Sequence, residues 1–170
     1  MAEGDLKGVV TSSEKLLNGH IVICLFNFYR LDVIKRTFFP LKYDTECRTI
    51  PTSWKIELKC EHESDVCESY DFSIKLKRQD SSGHRVKASL NASFYDTQGE
   101  PALYPISASK ERMINDDELE GIVYCILPST LREVAAVEVK ITIQKCHGET
   151  DWHCASKLNT EKNNINLSKL

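Results

Sequence analysis

The segment Trp54-Lys-Ile-Glu-Leu-Lys-Cys60 alternates strictly between apolar and polar residues. Successive side chains of a β-strand point to opposite faces, so this pattern gives the segment one dry face and one wet face. Segments 72–77, 86–94 and 137–144 repeat the alternation. Strands of this kind are typical of antiparallel sheets, in which one face packs on a core and the other meets water.

Further strands are predicted at 21–28, at 37–43 with a break at Pro40, at 103–106 and at 121–127. A proline cannot donate to a sheet, which favours an edge strand or a broken strand around Pro40. Only short helical pieces are expected, at 13–17 and 128–133. The sequence therefore predicts an all-β fold, an antiparallel two-sheet β-sandwich of seven to eight strands with little helix. We expect the function of such a fold to lie on its surface.

The expected domain organisation is simple. Residues 1–19 are predicted to form a flexible N-terminal arm, residues 20–146 one β-sandwich domain, and residues 147–170 a polar C-terminal tail or linker. The turn-rich segment 79–84 is predicted to join strands 72–77 and 86–94 as a hairpin. Residues 107–117 are predicted to form a polar loop.

Composition excludes several classes of partner. The chain has 170 residues and a net charge of −3, whereas nucleic-acid binding requires clustered positive charge. It contains no apolar run near the length of about 20 residues that a membrane helix needs. Residues 1–20 lack the apolar core of a secretory signal, and seven scattered cysteines fit a reducing compartment. We therefore expect a cytoplasmic or nuclear protein whose cysteines, including Cys60 and Cys67, are free thiols.

No pattern in the sequence indicates an enzyme. The five histidines are predicted to lie in loops or tails, and neither a Gly-x-Ser-x-Gly elbow nor a His-Glu-x-x-His helix is present. Cys146-His147 and His153-Cys154 could supply a Cys2His2 zinc site. However, adjacent ligands do not easily face one tetrahedral ion, and the usual gaps of two to four residues are missing. These residues are interpreted as a solvated tail, so no catalytic residue, metal site or cofactor is predicted.

The order of the strand segments resembles the MATH domain, the TRAF-like sandwich of speckle-type POZ (MATH–BTB) adaptors. Leu25-Phe26-Asn27-Phe28 is similar to that family's opening Ile-x-Asn-Phe, and Trp54-Lys-Ile-Glu-Leu58 to its Trp-x-Leu-x-Ile strand. Segments 72–76 and 92–100 are similar to its Leu-Ser-Leu-Tyr-Leu strand and to the strand and glycine turn that follow. The resemblance covers residues 21–145. It implies a protein-recognition domain in which one sheet binds an extended, serine-rich peptide and a BTB domain recruits a cullin ubiquitin ligase.

The chain departs from the family in its groove. Where MATH domains carry Gly-x-x-Trp-Gly-Phe, residues 107–113 contain no aromatic, and Ile23 lies near the place of an opening tryptophan. The resemblance assigns Asp71 or Tyr70 and Leu90 to the groove. No BTB sequence follows residue 145, so a ligase link requires a further part of the protein or a partner chain.

The function predicted from these observations is non-enzymatic recognition of a peptide segment of a partner protein. The wet faces of segments 72–77 and 86–94 are expected to form one flat polar platform with aromatic anchors. The predicted partner-binding residues are Tyr70, Asp71, Ser73, Lys75, Lys87, Leu90 and Tyr95. An alternative is a structural role, in which an edge strand or the C-terminal tail mediates self-association or scaffolds a complex.

Overall fold

The computed structural model of the chain describes residues 8–28, 35–62, 70–125 and 134–147. Within these ranges the fold is all-β, an antiparallel sandwich of two sheets, as the alternating segments predict. The strands are β1 (Val9–Leu16), β2 (Gly19–Asn27), β3 (Lys35–Thr37), β4 (Leu41–Asp44), β5 (Ser53–His62), β6 (Tyr70–Arg78), β7 (Val86–Tyr95), β8 (Pro101–Met113), β9 (Glu118–Cys125) and β10 (Ala136–Gln144). These residues form no helix, and so none that could span a membrane.

The first sheet has the strand order β1-β2-β10-β7-β8. Its centre is β10, in which Ile143 lies opposite His20 of β2 and Ala88 of β7. The predicted strand at 137–144 is therefore confirmed. Every second residue of β10 from Val137 to Ile143 is buried, which is the dry face that the alternation indicates.

The prediction of a loose arm at residues 1–19 is wrong for residues 9–19. β1 pairs with β2 through a tight turn, so that Leu16 lies opposite Gly19. The helical piece expected at 13–17 is wrong for the same reason. Side chains 11–15 are all exposed. An edge strand with two wet faces lacks the apolar alternation by which a strand is recognised in a sequence.

The opposite edge of the first sheet also differs from expectation. The short strand expected at 103–106 and the loop expected at 107–117 are largely one strand, β8, which pairs with β7 from Tyr95↔Pro101 to Val86↔Met113. Its register shifts at several points. Most of its side chains are exposed or half-buried, so this edge strand has little periodic apolar signal to detect.

The second sheet has the order β3-β5-β6-β9, with β4 also paired to β5. The break predicted at Pro40 is confirmed, because residues 38–40 separate β3 from β4. The two extra strands beyond the predicted seven to eight arise from this division and from β1. In β5 the four apolar side chains of 54–60 are at most 3% exposed.

The hairpin expected at 79–84 is wrong, because β6 and β7 belong to different sheets. The connection is organised by Arg78, whose side chain is fully buried. Its guanidinium pairs with Asp80 at 2.7 Å and donates to the carbonyl oxygens of His84 and Met113 at 2.6 Å each. A buried charge requires such partners, and here they hold the connection as it crosses between the layers.

A chain of phenylalanine rings joins the two sheets through the core. Phe26 of β2 contacts Phe38, which contacts Phe28, and the chain continues to Phe72 of β6 and Phe94 of β7. The ring centroids are 4.9–5.8 Å apart. These rings are at most 7% exposed, so the core lies between the two layers.

The C-terminal boundary of the folded part extends past residue 146. His147 is 8% exposed and its ring contacts that of His20, so the prediction that the tail begins at residue 147 is wrong for this residue. Cys60 is buried on the core side of β5, as the alternation of residues 54–60 predicts. The helical piece expected at 128–133, Cys67, and the rest of the tail lie outside the described residues.

Candidate functional site

The predicted binding platform is divided between the two layers of the sandwich. Ser73 and Lys75 point outward from the second sheet, whereas Lys87 points outward from the first sheet. The neighbours of β6 are β5 and β9, and those of β7 are β10 and β8. The single platform expected from these residues is therefore wrong, because it required the hairpin that the structure replaces by a crossing.

The other three predicted partner-binding residues do not join either face as accessible, described side chains of one site. Leu90 is fully buried in the core and is not accessible to a partner. Tyr95 is half-buried on β7, opposite Ala136 of β10. The backbone of Tyr70 begins β6, but its side chain lies outside the described part of the structure.

Asp71, Ser73 and Lys75 remain together on what we call the β6–β9 face. This face consists of the outward side chains of β5, β6 and β9. Its described members are Lys55, Glu57, Lys59, Glu61, Asp71, Ser73, Lys75, Lys77, Glu118, Glu120, Ile122 and Tyr124.

Acidic residues of β9 neutralise the lysines of β6. Lys75 forms an ion pair with Glu118 at 3.3 Å, and Lys77 pairs with the same carboxylate at 3.6 Å. The hydroxyl of Ser73 donates to Glu120 at 2.6 Å. The hydrogen bond to Glu118, with the nearby charge of Glu120, raises the pKa of Lys75. These contacts set the polar part of the face in a fixed pattern of alternating charge.

An apolar corner lies at one end of the β6–β9 face. Ile122 is 45% exposed and Tyr124 is 63% exposed, with Tyr124 opposite Asp71. In the described part of the chain β9 is the terminal strand of its sheet. The sequence interpretation missed both residues, although Glu118, Glu120, Ile122 and Tyr124 stand at the two-residue spacing of one strand face.

A second group of functional interest lies at the end of the sandwich where β2 begins and β10 ends. His20, Cys47, Cys146 and His147 are all buried, and one ligand atom from each lies within 4.8 Å of the others. We call this group the Cys–His cluster. The sequence interpretation considered Cys146 and His147 only in combination with His153 and Cys154, and did not consider them with His20 and Cys47.

The backbone brings these four residues together from three segments. His20 follows Gly19, whose missing side chain is required because a Cβ there would collide with the carbonyl oxygen of Ile143. After β10 the chain turns at Lys145, which has a φ of 61° and donates its N–H to the carbonyl of Asn18 at 3.1 Å. This left-handed turn directs both Cys146 and His147 back into the sandwich, so adjacency in sequence is no obstacle.

Hydrogen bonds orient the members of the Cys–His cluster. Nδ1 of His147 lies 3.0 Å from the carbonyl oxygen of Leu17, and its Nε2 lies 3.3 Å from Nε2 of His20. A carbonyl oxygen can only accept, so Nδ1 of His147 carries the proton and Nε2 presents its lone pair toward His20. The Cys47 thiol donates to the carbonyl oxygen of Cys146 at 3.3 Å.

Burial favours the uncharged forms of two members of this cluster, His20 and Cys146. Burial, together with the adjacent His147 and Lys15, lowers the pKa of His20. Burial, with a contribution from Cys47, raises the pKa of Cys146 to about 12. Burial alone raises the pKa of Cys24 to about 12, but Cys24 lies elsewhere in the core.

A surface cavity lies beside His20 of the Cys–His cluster. It has a volume of about 420 Å³ and is lined by Ser13, Lys15, His20, Tyr43, Asp44 and Glu46. His20, which is 4% exposed, therefore belongs both to the lining of this cavity and to the Cys–His cluster. The two carboxylates at the cavity provide oxygen groups that attract cations.

No family model matches the chain, and no curated protein matches it. Among solved structures, the chain is similar to the enzymatically active domain of bacteriophage CBA120 tailspike protein 4, with 10% sequence identity and a TM-score of 0.25. The similarity covers 82% of this chain, and the chain spans 17% of the tailspike chain. A TM-score this low identifies neither a shared fold nor a shared activity.

Proposed function

We propose that the chain is a non-enzymatic recognition module that binds an extended segment of a partner protein on the β6–β9 face. The observation that carries this proposal is the exposed pair Ile122 and Tyr124 on the terminal strand of the second sheet, beside a fixed pattern of charge. Exposed aromatic side chains next to polar groups are typical anchors of protein interfaces.

The geometry favours an extended ligand over a compact one. A terminal strand offers backbone N–H and C=O groups with which a peptide strand can pair. Alternate side chains of that peptide would then lie over Ile122 and Tyr124, while its polar side chains would meet Lys75 and Glu120. Most of the affinity would come from the apolar anchors, because partly exposed ion pairs contribute little energy. The charges would instead determine the register of the peptide along β9.

The resemblance to MATH domains supports the proposal. The segments that carry it lie in or directly after β2, β5, β6 and β7, in the order of that family. We propose on this basis a role in substrate recruitment to a cullin ubiquitin ligase in the cytoplasm or nucleus, with the BTB domain supplied by a further part of the protein or by a partner.

Selection from a phage-displayed library of short random peptides tests the recognition proposal. We expect the wild-type chain to enrich a common motif with at least one apolar anchor. Synthetic peptides with that motif should bind the Ile122→Ser, Tyr124→Ala double variant about tenfold more weakly or worse in fluorescence anisotropy, since each buried anchor contributes more than about 1 kcal/mol.

Lys140→Ala is the matched control, because Lys140 is exposed on the outer face of the first sheet. It should bind the selected peptides as the wild type does. Failure to enrich any motif, or equal affinity of the double variant, would contradict the proposal. Light scattering after size exclusion tests the alternative, since a dimer that the double variant dissociates would show that β9 mediates self-association instead.

A further inference from the structure

We propose that His20, Cys47, Cys146 and His147 form a structural zinc site that fastens the two sheets together at one end of the sandwich. None of these four residues belongs to the β6–β9 face, so the zinc site does not depend on the proposed peptide binding. It rests on the donor set, the distances, the orientation of the ligands and the segments that they join.

The donor set suits zinc. Two cysteine sulfurs and two imidazole nitrogens are the ligands of Cys2His2 sites, and a tetrahedral S2N2 set is diagnostic of Zn²⁺ among common divalent metals. Four protein ligands leave no open position for water or substrate, so the site is structural rather than catalytic. Two thiolates also balance the double charge of the ion, so that the buried complex is neutral.

The distances fit a tetrahedral ion. With Zn–N bonds of about 2.0 Å and Zn–S bonds of about 2.3 Å, neighbouring ligand atoms lie about 3.3–3.8 Å apart. Nε2 of His20 and Nε2 of His147 are 3.3 Å apart, and no pair of ligand atoms in the cluster exceeds 4.8 Å. An inward adjustment of about 1 Å by side chains that have rotatable bonds completes the coordination.

The orientation of His147 is that of a metal ligand. Its Nδ1–H donates to the carbonyl oxygen of Leu17 at 3.0 Å, which leaves the Nε2 lone pair facing the centre of the cluster. Histidines that bind metals commonly donate their other ring N–H to a carbonyl or carboxylate, because this bond fixes the tautomer and the ring. A surface cavity lies beside His20, so this end of the sandwich is near solvent.

The ion would connect segments that are remote in sequence. His20 is the second residue of β2, and Cys146-His147 follows β10; both strands belong to the first sheet. Cys47 lies in the connection between β4 and β5 of the second sheet. One ion therefore closes this end of the sandwich and holds the turn at Lys145 in place.

Metal analysis of the chain purified without added metal and without chelator tests the proposal directly. We expect one equivalent of zinc by inductively coupled plasma mass spectrometry. After chelation, titration with Co²⁺ should reach saturation at one equivalent, with the visible bands of tetrahedral cobalt and a near-ultraviolet thiolate-to-cobalt transition. Chelation should also lower Tm by about 10 °C, and added Zn²⁺ should restore it.

Cys47→Ala and His147→Ala are the informative variants, with Cys24→Ala and His84→Ala as controls that remove a thiol or an imidazole elsewhere. We expect the first pair to lose the tetrahedral cobalt spectrum and the second pair to retain it. If the first pair fails to fold, the wild-type titration still decides the question. A folded wild-type chain that binds no Co²⁺, binds it without the thiolate transition, or carries a Cys47–Cys146 disulfide when freshly purified would overturn the proposal.

Discussion

At the scale of single residues, Arg78 shows how one buried charge determines the path of the chain. Its guanidinium is fully buried and is satisfied by Asp80, by the hydroxyl of Ser82 and by the carbonyl oxygens of His84 and Met113. A charge without these partners would be very costly inside the fold. The connection from β6 to β7 is therefore specified by hydrogen bonds rather than by turn residues.

We expect Asp80→Asn to destabilise the chain by roughly 2–4 kcal/mol, because it removes the countercharge of a fully buried guanidinium. Burial acts to raise the pKa of Asp80, but hydrogen bonds from Arg78 and Ser82 and the charge of Arg78 bring it below its usual range. A depressed carboxyl pKa stabilises the fold above about pH 4, where the unfolded carboxyl is also ionised.

That stabilisation is lost as the pH falls from about 4 through the lower pKa of the folded state. Urea unfolding at pH 7, 4 and 3 should therefore show that the free energy of unfolding falls more steeply with acidity in the wild type than in Asp80→Asn. Glu118→Gln is the control, because the ion pair of Glu118 with Lys75 is partly exposed and should contribute little to the free energy of unfolding. If the free energy of unfolding depended equally on pH in the wild type and in Asp80→Asn, Asp80 would not be the stabilising countercharge of Arg78.

At the scale of elements, β9 depends on a glycine to approach the first sheet. A Cβ on Gly121 would collide with the side chain of Ile106 of β8 and would lie 3.3 Å from Leu90 of β7. We expect Gly121→Ala to lower the free energy of unfolding by about 1–3 kcal/mol through overpacking. Chemical denaturation measures this change.

A double-mutant cycle separates crowding from other effects of the substitution. Ile106→Ala removes the methyl group that Gly121→Ala would strike, so the double variant should lose less than the sum of the two single variants. Gly83→Ala is the control, since a Cβ there would have no neighbour within 4 Å among the residues that the structure describes. Strict additivity of the Gly121 and Ile106 variants would show that crowding is not the cause.

The elements also show why some of the fold was predictable and some was not. β5, β6, β7 and β10 bury one face, so their alternation appears in the sequence and each was predicted. β1 and β8 are edge strands with mostly exposed side chains and give no such signal. The Cys–His cluster could not be predicted, because His20 and His147 are 127 residues apart and meet only through the pairing of β2 with β10.

At the scale of the whole molecule, the chain of phenylalanine rings makes the two sheets one folding unit. Successive contacts alternate between layers, from Phe28 beside β2 to Phe72 of β6 and then to Phe94 of β7. Each sheet therefore buries its dry face on the other, and the described residues share one core. Loss of one central ring should weaken both layers together.

We expect Phe72→Ala to destabilise the chain by about 3–5 kcal/mol, since it leaves a cavity between the sheets. Urea unfolding followed by far-ultraviolet circular dichroism and by tryptophan fluorescence should still give coincident transitions, as expected for a two-state domain. Phe39→Ala is the control, because Phe39 is 59% exposed and should change stability by about 0.5 kcal/mol or less. Separate transitions in the wild type would show that the sheets unfold independently, and the phenylalanine chain would then not be what couples them.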